Sequence, residues 1–185
     1  MSIAYTLPDY QITKTRELYP VTLSEIKRHL RLHSDFVDDD DYLMTLVEVA
    51  TQMAENYINK AISKTLNVIR IDDFDNDFIK IMEGNFLSVV SVTDANGDSI
   101  GTVKQTSVHY DFFTIEWTAS IASDPLTITF YTGFEEDQTP NVIKHACLIK
   151  IADLYDNQRS DYNWNGYADN KVFETILNAY VAMRF

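Results

Sequence analysis

The sequence predicts an α+β fold, a four-helix core of two N-terminal and two C-terminal helices with an inserted antiparallel β-sheet or small barrel. Two observations carry this expectation. Apolar residues recur at threes and fours near both ends of the chain, the spacing of a helix with one buried face. Between about residues 65 and 132 the spacing falls to two, as in a strand. The expected organisation is an extended N-terminal arm over 1–19 and one domain over 20–185. Within that domain helices occupy 20–62 and 139–185, and the β insert occupies 63–134. A chain of 185 residues can bury a core of its own.

The first helix is expected over about 23–33. Thr22 followed by Glu25 is a capping-box pattern, with Pro20 just before it. Leu23, Ile26 and Leu30 then share a face. The second helix is expected over about 40–59, with Leu43, Leu46, Val47, Ala50, Met53, Ala54, Tyr57 and Ile58 in one stripe. Four aspartates, Asp38 to Asp41, stand at its start. Unpaired amides and the helix dipole favour negative charge there, so Asp38 or Asp39 is the expected N-cap and the others lie in the first turn. A metal site fits less well, because four consecutive carboxylates point in different directions and lack the spaced ligands and glycine of a calcium loop.

About six short strands follow. Ile69 alternates with Ile71 and Ile79 with Ile81, and residues 87–93 are apolar and β-branched. Phe113, Ile115 and Trp117 share one face, as do Leu126, Ile128 and Phe130. Asn96-Gly97 between extended segments is a hairpin signal. Helices resume with Thr139 as the expected cap and Pro140 at the first helical position. Val142, Ile143, Ala146, Ile149 and Leu154 carry that helix to about residue 155. A last helix is expected over 171–183, with Val172, Phe173, Ile176, Leu177 and Tyr180 on one side.

Charge and composition narrow the function. The net charge is −13, with 28 acidic residues against 15 basic ones. A free-standing DNA-binding module is normally basic, because neutralised phosphates supply much of its affinity, so this chain is expected to repel nucleic acid. One cysteine, Cys147, leaves no intrachain disulfide. The first 20 residues lack a basic stretch followed by an apolar one, so no signal peptide is expected. No apolar run approaches the roughly 20 residues of a membrane span.

The motifs of catalysis and cofactor binding are missing. Asp73, Asp75 and Asp77 alternate as in a calcium loop, but Phe78 stands where the glycine belongs and Gly84 where the closing glutamate belongs. His29 and His33 are four apart without a third ligand, and His109 and His145 are isolated. His109, Ser107 and Asp111 are too close in sequence to form a triad, whose members converge from separate segments. No glycine-rich phosphate loop is present, so no cofactor is expected. Cys147, among Ala146, Leu148 and Ile149, reads as a buried inert thiol. Tyr162, Trp164 and Tyr167 decorate a polar loop over 157–170, where they are either interface anchors or a cover for the core.

Two blocks together resemble the head–tail connector, or adaptor, proteins of tailed bacteriophages. The first is "PVTLSEIKRHLRL…DDDDYLMTLVEVATQMAENYI" and the second is "TPNVIKHACLIKIADLYDNQR". The matching residues are Pro20 to Leu23, Lys27, Leu30 with Arg31, and the acidic pair Asp40 and Asp41. In the second block they are Pro140, Ile143 with Lys144, Ala146, Leu154, Tyr155, Asn157 and Arg159. The resemblance covers about 20–60 and 125–160. The first 19 residues and the 160–170 loop match no motif.

The resemblance implies a structural virion protein and not an enzyme. Such a protein forms a homo-oligomeric ring, usually of about twelve copies, at the neck of the particle. It sits between the portal protein and the stopper, head-closure or tail protein, and extends the DNA channel without gripping DNA or touching a membrane. Assembly in the host cytoplasm and portal binding through the C-terminal segment are also implied. Here that segment places Tyr180, Met183, Arg184 and Phe185 at the contact. The alternative is a generic oligomeric interaction domain without a portal partner.

Overall fold

The computed structural model of the protein describes residues 10–101, 103–135, 137–157 and 171–181. These residues form helices and antiparallel strands in two compact units. One takes in the described residues up to Glu17 together with Lys64–Gly133. The other takes in Leu18–Ser63 and the described residues from Phe134 onward.

Among the described residues the β unit contains seven strands: β1 (Gln11–Arg16), β2 (Thr65–Ile71), β3 (Phe74–Ile81), β4 (Phe86–Thr93), β5 (Val103–Val108), β6 (Phe113–Ser123) and β7 (Leu126–Thr132). They make two sheets, one ordered β1-β2-β7-β4 and the other β3-β6-β5. The alternation read from the sequence sets the register. Ile69 lies opposite Ile128 and Ile71 opposite Leu126 in the first sheet, while Ile79 faces Ile115 and Ile81 faces Phe113 in the second. One face of each sheet is thereby apolar, and the two faces bury each other. The Phe113 ring lies 4.2 Å from that of Phe86 and 5.0 Å from that of Phe130. Burying each such side chain contributes about 1.5–3 kcal/mol.

The arm expected over 1–19 is, over Gln11–Arg16, the edge strand β1 paired to β2. Its Lys14 ammonium lies 2.9 Å from a Glu83 carboxylate oxygen. The Asn96-Gly97 turn closes as expected. Gly97 has φ +84°, its amide donates to the Asp94 carbonyl, and Asp94 Oδ1 accepts from the Asn96 and Asp98 amides at 2.9 and 3.0 Å. The return segment is short, a single bridge from Thr93 to Ser99.

The helical unit contains α1 (Leu23–Leu30), α2 (Asp40–Ile58), α3 (Asn141–Asn157) and α4 (Val172–Leu177), with a 3-10 turn over Asn178–Tyr180. Ile26, Leu43, Val47, Ala50, Ile143, Ala146, Cys147 and Leu177 are fully buried in its core. Small residues at Ala50, Ala54 and Ala146 let α2 and α3 approach each other. Two helices are shorter than expected. α1 stops at Leu30 because Arg31 turns left-handed at φ +59°, and its amide bonds back to the Arg28 carbonyl. α4 gives way to the 3-10 turn, so Phe173 and Leu177 are buried while Val172 is 48% exposed.

Candidate functional site

The two sequence blocks that stand about a hundred residues apart meet around the start of α2. Thr22 caps α1 in an extended conformation. Its Oγ1 accepts from the Glu25 amide at 3.3 Å, and its own amide donates to Glu25 Oε2 at 2.7 Å. Burial acts to raise the Glu25 pKa. The hydrogen bonds from Thr22 and the nearby Lys144 and Arg28 cations outweigh it and hold the carboxyl below its ordinary value. Lys144 Nζ, on α3, lies 4.0 Å from Glu25 Oε1.

The four aspartates divide their roles. Asp39 occupies the N-cap position of α2 but makes no side-chain capping bond. Its Oδ2 accepts instead from the Tyr155 hydroxyl on α3 at 2.6 Å. Asp40 Oδ1 is buried and lies 2.7 Å from Lys27 Nζ, whose side chain is only 9% exposed. Lys27 also donates to the Ser34 carbonyl at 3.4 Å. Asp40 and Asp41 stand in the first turn, and Asp38 is exposed. Short charge-assisted contacts thus tie α2 to α1 through Lys27 and to α3 through Tyr155. Neither partner could be read from the neighbourhood of the aspartates, since a helix start attracts acids whether or not a distant cation exists.

α3 begins at Asn141, one residue later than expected. The Pro140 carbonyl accepts from the Ile143 and Lys144 amides at 2.9 and 3.1 Å, so Pro140 and not Thr139 immediately precedes the helix. Glu55 Oε1 accepts from the Ile62 and Ser63 amides at 2.9 and 3.0 Å and holds the turn after α2. Cys147 is fully buried, and burial, with the Glu55 charge added, pushes its thiol up to about 12. Below that value it stays protonated and a poor nucleophile.

An open groove of about 580 Å³ lies on the helical unit, with Met53, Tyr57, Lys150, Asp153 and Phe173 among its lining. Among the described residues, no group of three or more His, Cys, Asp or Glu is placed to hold a metal ion. His29 does not pair with His33; its ring lies 6.2 Å from that of His145 on α3. No described helix is long and apolar enough to cross a membrane. Tyr180 is partly buried against the helical core. Met183, Arg184 and Phe185, and the loop residues Tyr162, Trp164 and Tyr167, lie outside the described residues.

The described residues define an α+β chain whose helical unit is tied together by the Lys27–Asp40 and Tyr155–Asp39 contacts. The chain belongs to the family of phage gp6-like head–tail connector proteins, whose model matches residues 20–139. No curated protein matches the sequence. Solved structures share the fold at low identity. A chain in the neck of an empty gene transfer agent (GTA) particle, computed with C6 symmetry, is 16% identical. Its TM-score is 0.74, and the match covers 95% of this chain and 97% of that one. A chain from the neck of the native GTA particle, computed with C12 symmetry, is 14% identical with a TM-score of 0.68 over 95% and 97%. One from the native GTA virion is 17% identical with a TM-score of 0.66 over 93% and 96%.

Proposed function

We propose that the chain is a structural component of the virion neck. Copies of it form a ring, of about twelve subunits, between the portal protein and the stopper, head-closure or tail protein. The observation that carries this reading is the family match over residues 20–139, joined to a fold shared with neck chains over nearly the whole length. The ring extends the DNA channel and performs no catalysis. An excess of acid, −13 per chain, suits such a passage, because like charge keeps DNA from adhering. Assembly takes place in the host cytoplasm, with the helical core of the adaptor domain carrying the inserted β unit.

The portal contact is assigned to the C-terminal segment, Tyr180 with Met183, Arg184 and Phe185. Aromatic and arginine side chains most often dominate interface energy. Deleting residues 183–185 tests it. Portal binding is lost while subunit melting is unchanged if they dock. Retained binding moves the contact to the N-terminal residues or to the loop holding Tyr162, Trp164 and Tyr167. The functional reading itself is tested by imaging the protein with its portal, where a ring on the portal face is expected.

A further inference from the structure

We propose that the outer edge of β5 receives residues 2–7 of a second copy of this chain as an added strand, joining neighbours head to tail. The inference rests on the ring reading and names the contact that would build the ring.

β5 is the last strand in the order β3-β6-β5, and among the described residues no strand lies beyond it. The His109 amide donates to the Phe112 carbonyl at 2.9 Å, which makes those two a hydrogen-bonded pair. Such pairs alternate along an antiparallel ladder, so Thr106 and Val108 turn their backbone N–H and C=O groups away from β6. Val108 lies opposite Phe113 and Val103 opposite Trp117, both buried. Directly opposed residues share a face, so the two valines point to the core side of the sheet. They are nevertheless 55% and 40% exposed. The apolar face thus runs out uncovered at this edge, where an added strand supplies both backbone bonds and apolar cover.

The other three edges are better protected. β3 carries Asp75 and Asp77 with a break in register between Asn76 and Phe78. β4 breaks register twice, and its Val92 carbonyl accepts from the Ile100 amide at 3.1 Å. β1 carries Lys14 and Arg16. Charges and bulges of this kind discourage strand addition. β5 has one such break, between Val103 and Gln105, and its single charge, Lys104, lies 3.6 Å from Glu116 on β6.

The sequence ahead of the described residues supplies the occupant. Ile3, Tyr5 and Leu7 alternate with Ser2, Ala4 and Thr6, the period of a strand, and residues 1–8 hold no charged side chain. Copies of net charge −13 repel one another, so an uncharged segment is well suited to cross between them. Reach argues against the same chain. Two-residue links join β2 to β3 and β6 to β7, which sets β2 against β3 and β7 against β6 and leaves β1 on the side away from β5. A strand beyond β5 is then four strand spacings, about 19 Å, from β1. The three steps from Leu7 to Tyr10 span at most about 11 Å. Folding back onto β1 is also disfavoured. The favoured two-residue hairpin loops need a positive φ at their first position, which Pro8 cannot adopt. An arm on one copy and an edge on the next are two different surfaces, as a ring of more than two subunits requires.

Peptide binding tests the edge. A fluorescent peptide of residues 2–8 is titrated with the full-length chain carrying Tyr5→Pro, whose own arm cannot compete as a strand, and polarisation is followed to about 1 mM. Saturable binding is expected. Adding Thr106→Pro should weaken it at least about tenfold, because the proline removes an outward N–H and leaves the β6 ladder intact. Circular dichroism melting verifies the fold, and Val108→Asp gives a second edge variant, with the same loss expected, if Thr106→Pro unfolds the sheet. No binding, or equal binding with and without the edge substitution, overturns the proposal. The wild-type chain is measured where sedimentation shows it monomeric. Uptake of the peptide equal to that of Tyr5→Pro supports the second copy as occupant. A wild-type monomer that does not bind it overturns that assignment, since its own arm then fills the edge. None of these readings involves the portal, so failure of the ring reading is seen separately, by imaging the portal complex.

Discussion

The hydroxyl of Tyr155, near the end of α3, donates to Asp39 Oδ2 at the start of α2, 2.6 Å away and 116 residues distant in sequence. This bond gives Asp39 a tertiary role where a helix cap was expected. Hydrogen bonds to charged groups contribute about 1.5–3 kcal/mol, and partial exposure lowers that here. Tyr155→Phe and Asp39→Ala are each expected to cost about 1–2 kcal/mol. The double variant should cost less than the sum, by about 1 kcal/mol in a double-mutant cycle. Asp38→Ala, at an exposed position, should stay within about 0.5 kcal/mol, and calcium should leave every melting temperature unchanged. Equal costs for Asp38 and Asp39 would return the cap to Asp38.

The Lys27–Asp40 pair makes a second prediction. Lys27→Ala leaves the Asp40 carboxylate, 27% exposed, without its cation. The cost should be about 1–3 kcal/mol, below that of a fully buried pair because water still reaches Asp40. Lys27→Met with Asp40→Leu replaces both charges by apolar groups and should recover most of the loss. Denaturant unfolding of the three proteins decides this. A double variant worse than Lys27→Ala would show that the pair itself, and not the removal of an orphaned charge, sets the stability.

Cys147 provides a pH test. Its folded value, about 12, lies above the ordinary 9.0, so the folded chain holds a proton that the unfolded chain releases. Stability from this group is complete below about 9 and is lost as pH rises from about 9 toward 12. Cys147→Ala should flatten that part of the profile. At pH 8 an aromatic disulfide reagent should modify the thiol only as fast as the helical unit opens. Immediate labelling of the native protein would contradict the burial.

Two glycines make a paired prediction. At Gly101, φ +72°, an added Cβ would collide with Ile121 Cδ1 and lie 2.8 Å from Trp117 Cδ1. At Gly97, φ +84°, it would meet nothing within 4 Å. Gly97→Ala therefore carries only the backbone penalty, about 1–2 kcal/mol. Gly101→Ala adds overpacking of about 1–3 kcal/mol. Melting curves of the two variants should separate in that order, and equal shifts would mean that β6 yields freely.

What was legible in the sequence follows from where each signal resides. The starts of α1 and α2 and the alternation in β2, β3, β6 and β7 are local patterns, and they fall where the sequence places them. β1 carries no strand signal because QITKTR is an edge strand: its Ile12 is only partly buried, and its remaining positions read as polar arm. The division of seven strands between two sheets depends on pairings such as β2 with β7, some sixty residues apart, which no local period encodes. The same holds for the interhelical ties. Asp39, Asp40, Lys27 and Tyr155 each have an adequate local explanation, and only the fold brings them together. The left-handed turn at Arg31 ended α1 before residue 33 without a glycine to announce it.

The proposed ring in a virion neck can be seen directly. The most direct measurement is electron cryo-microscopy of the purified protein mixed with its cognate portal. A closed ring of about twelve copies is expected, seated on one face of the portal and coaxial with its channel, into which the helical and β units fit. Portal particles with no added ring, or with the protein bound as scattered single copies off the axis, would contradict it.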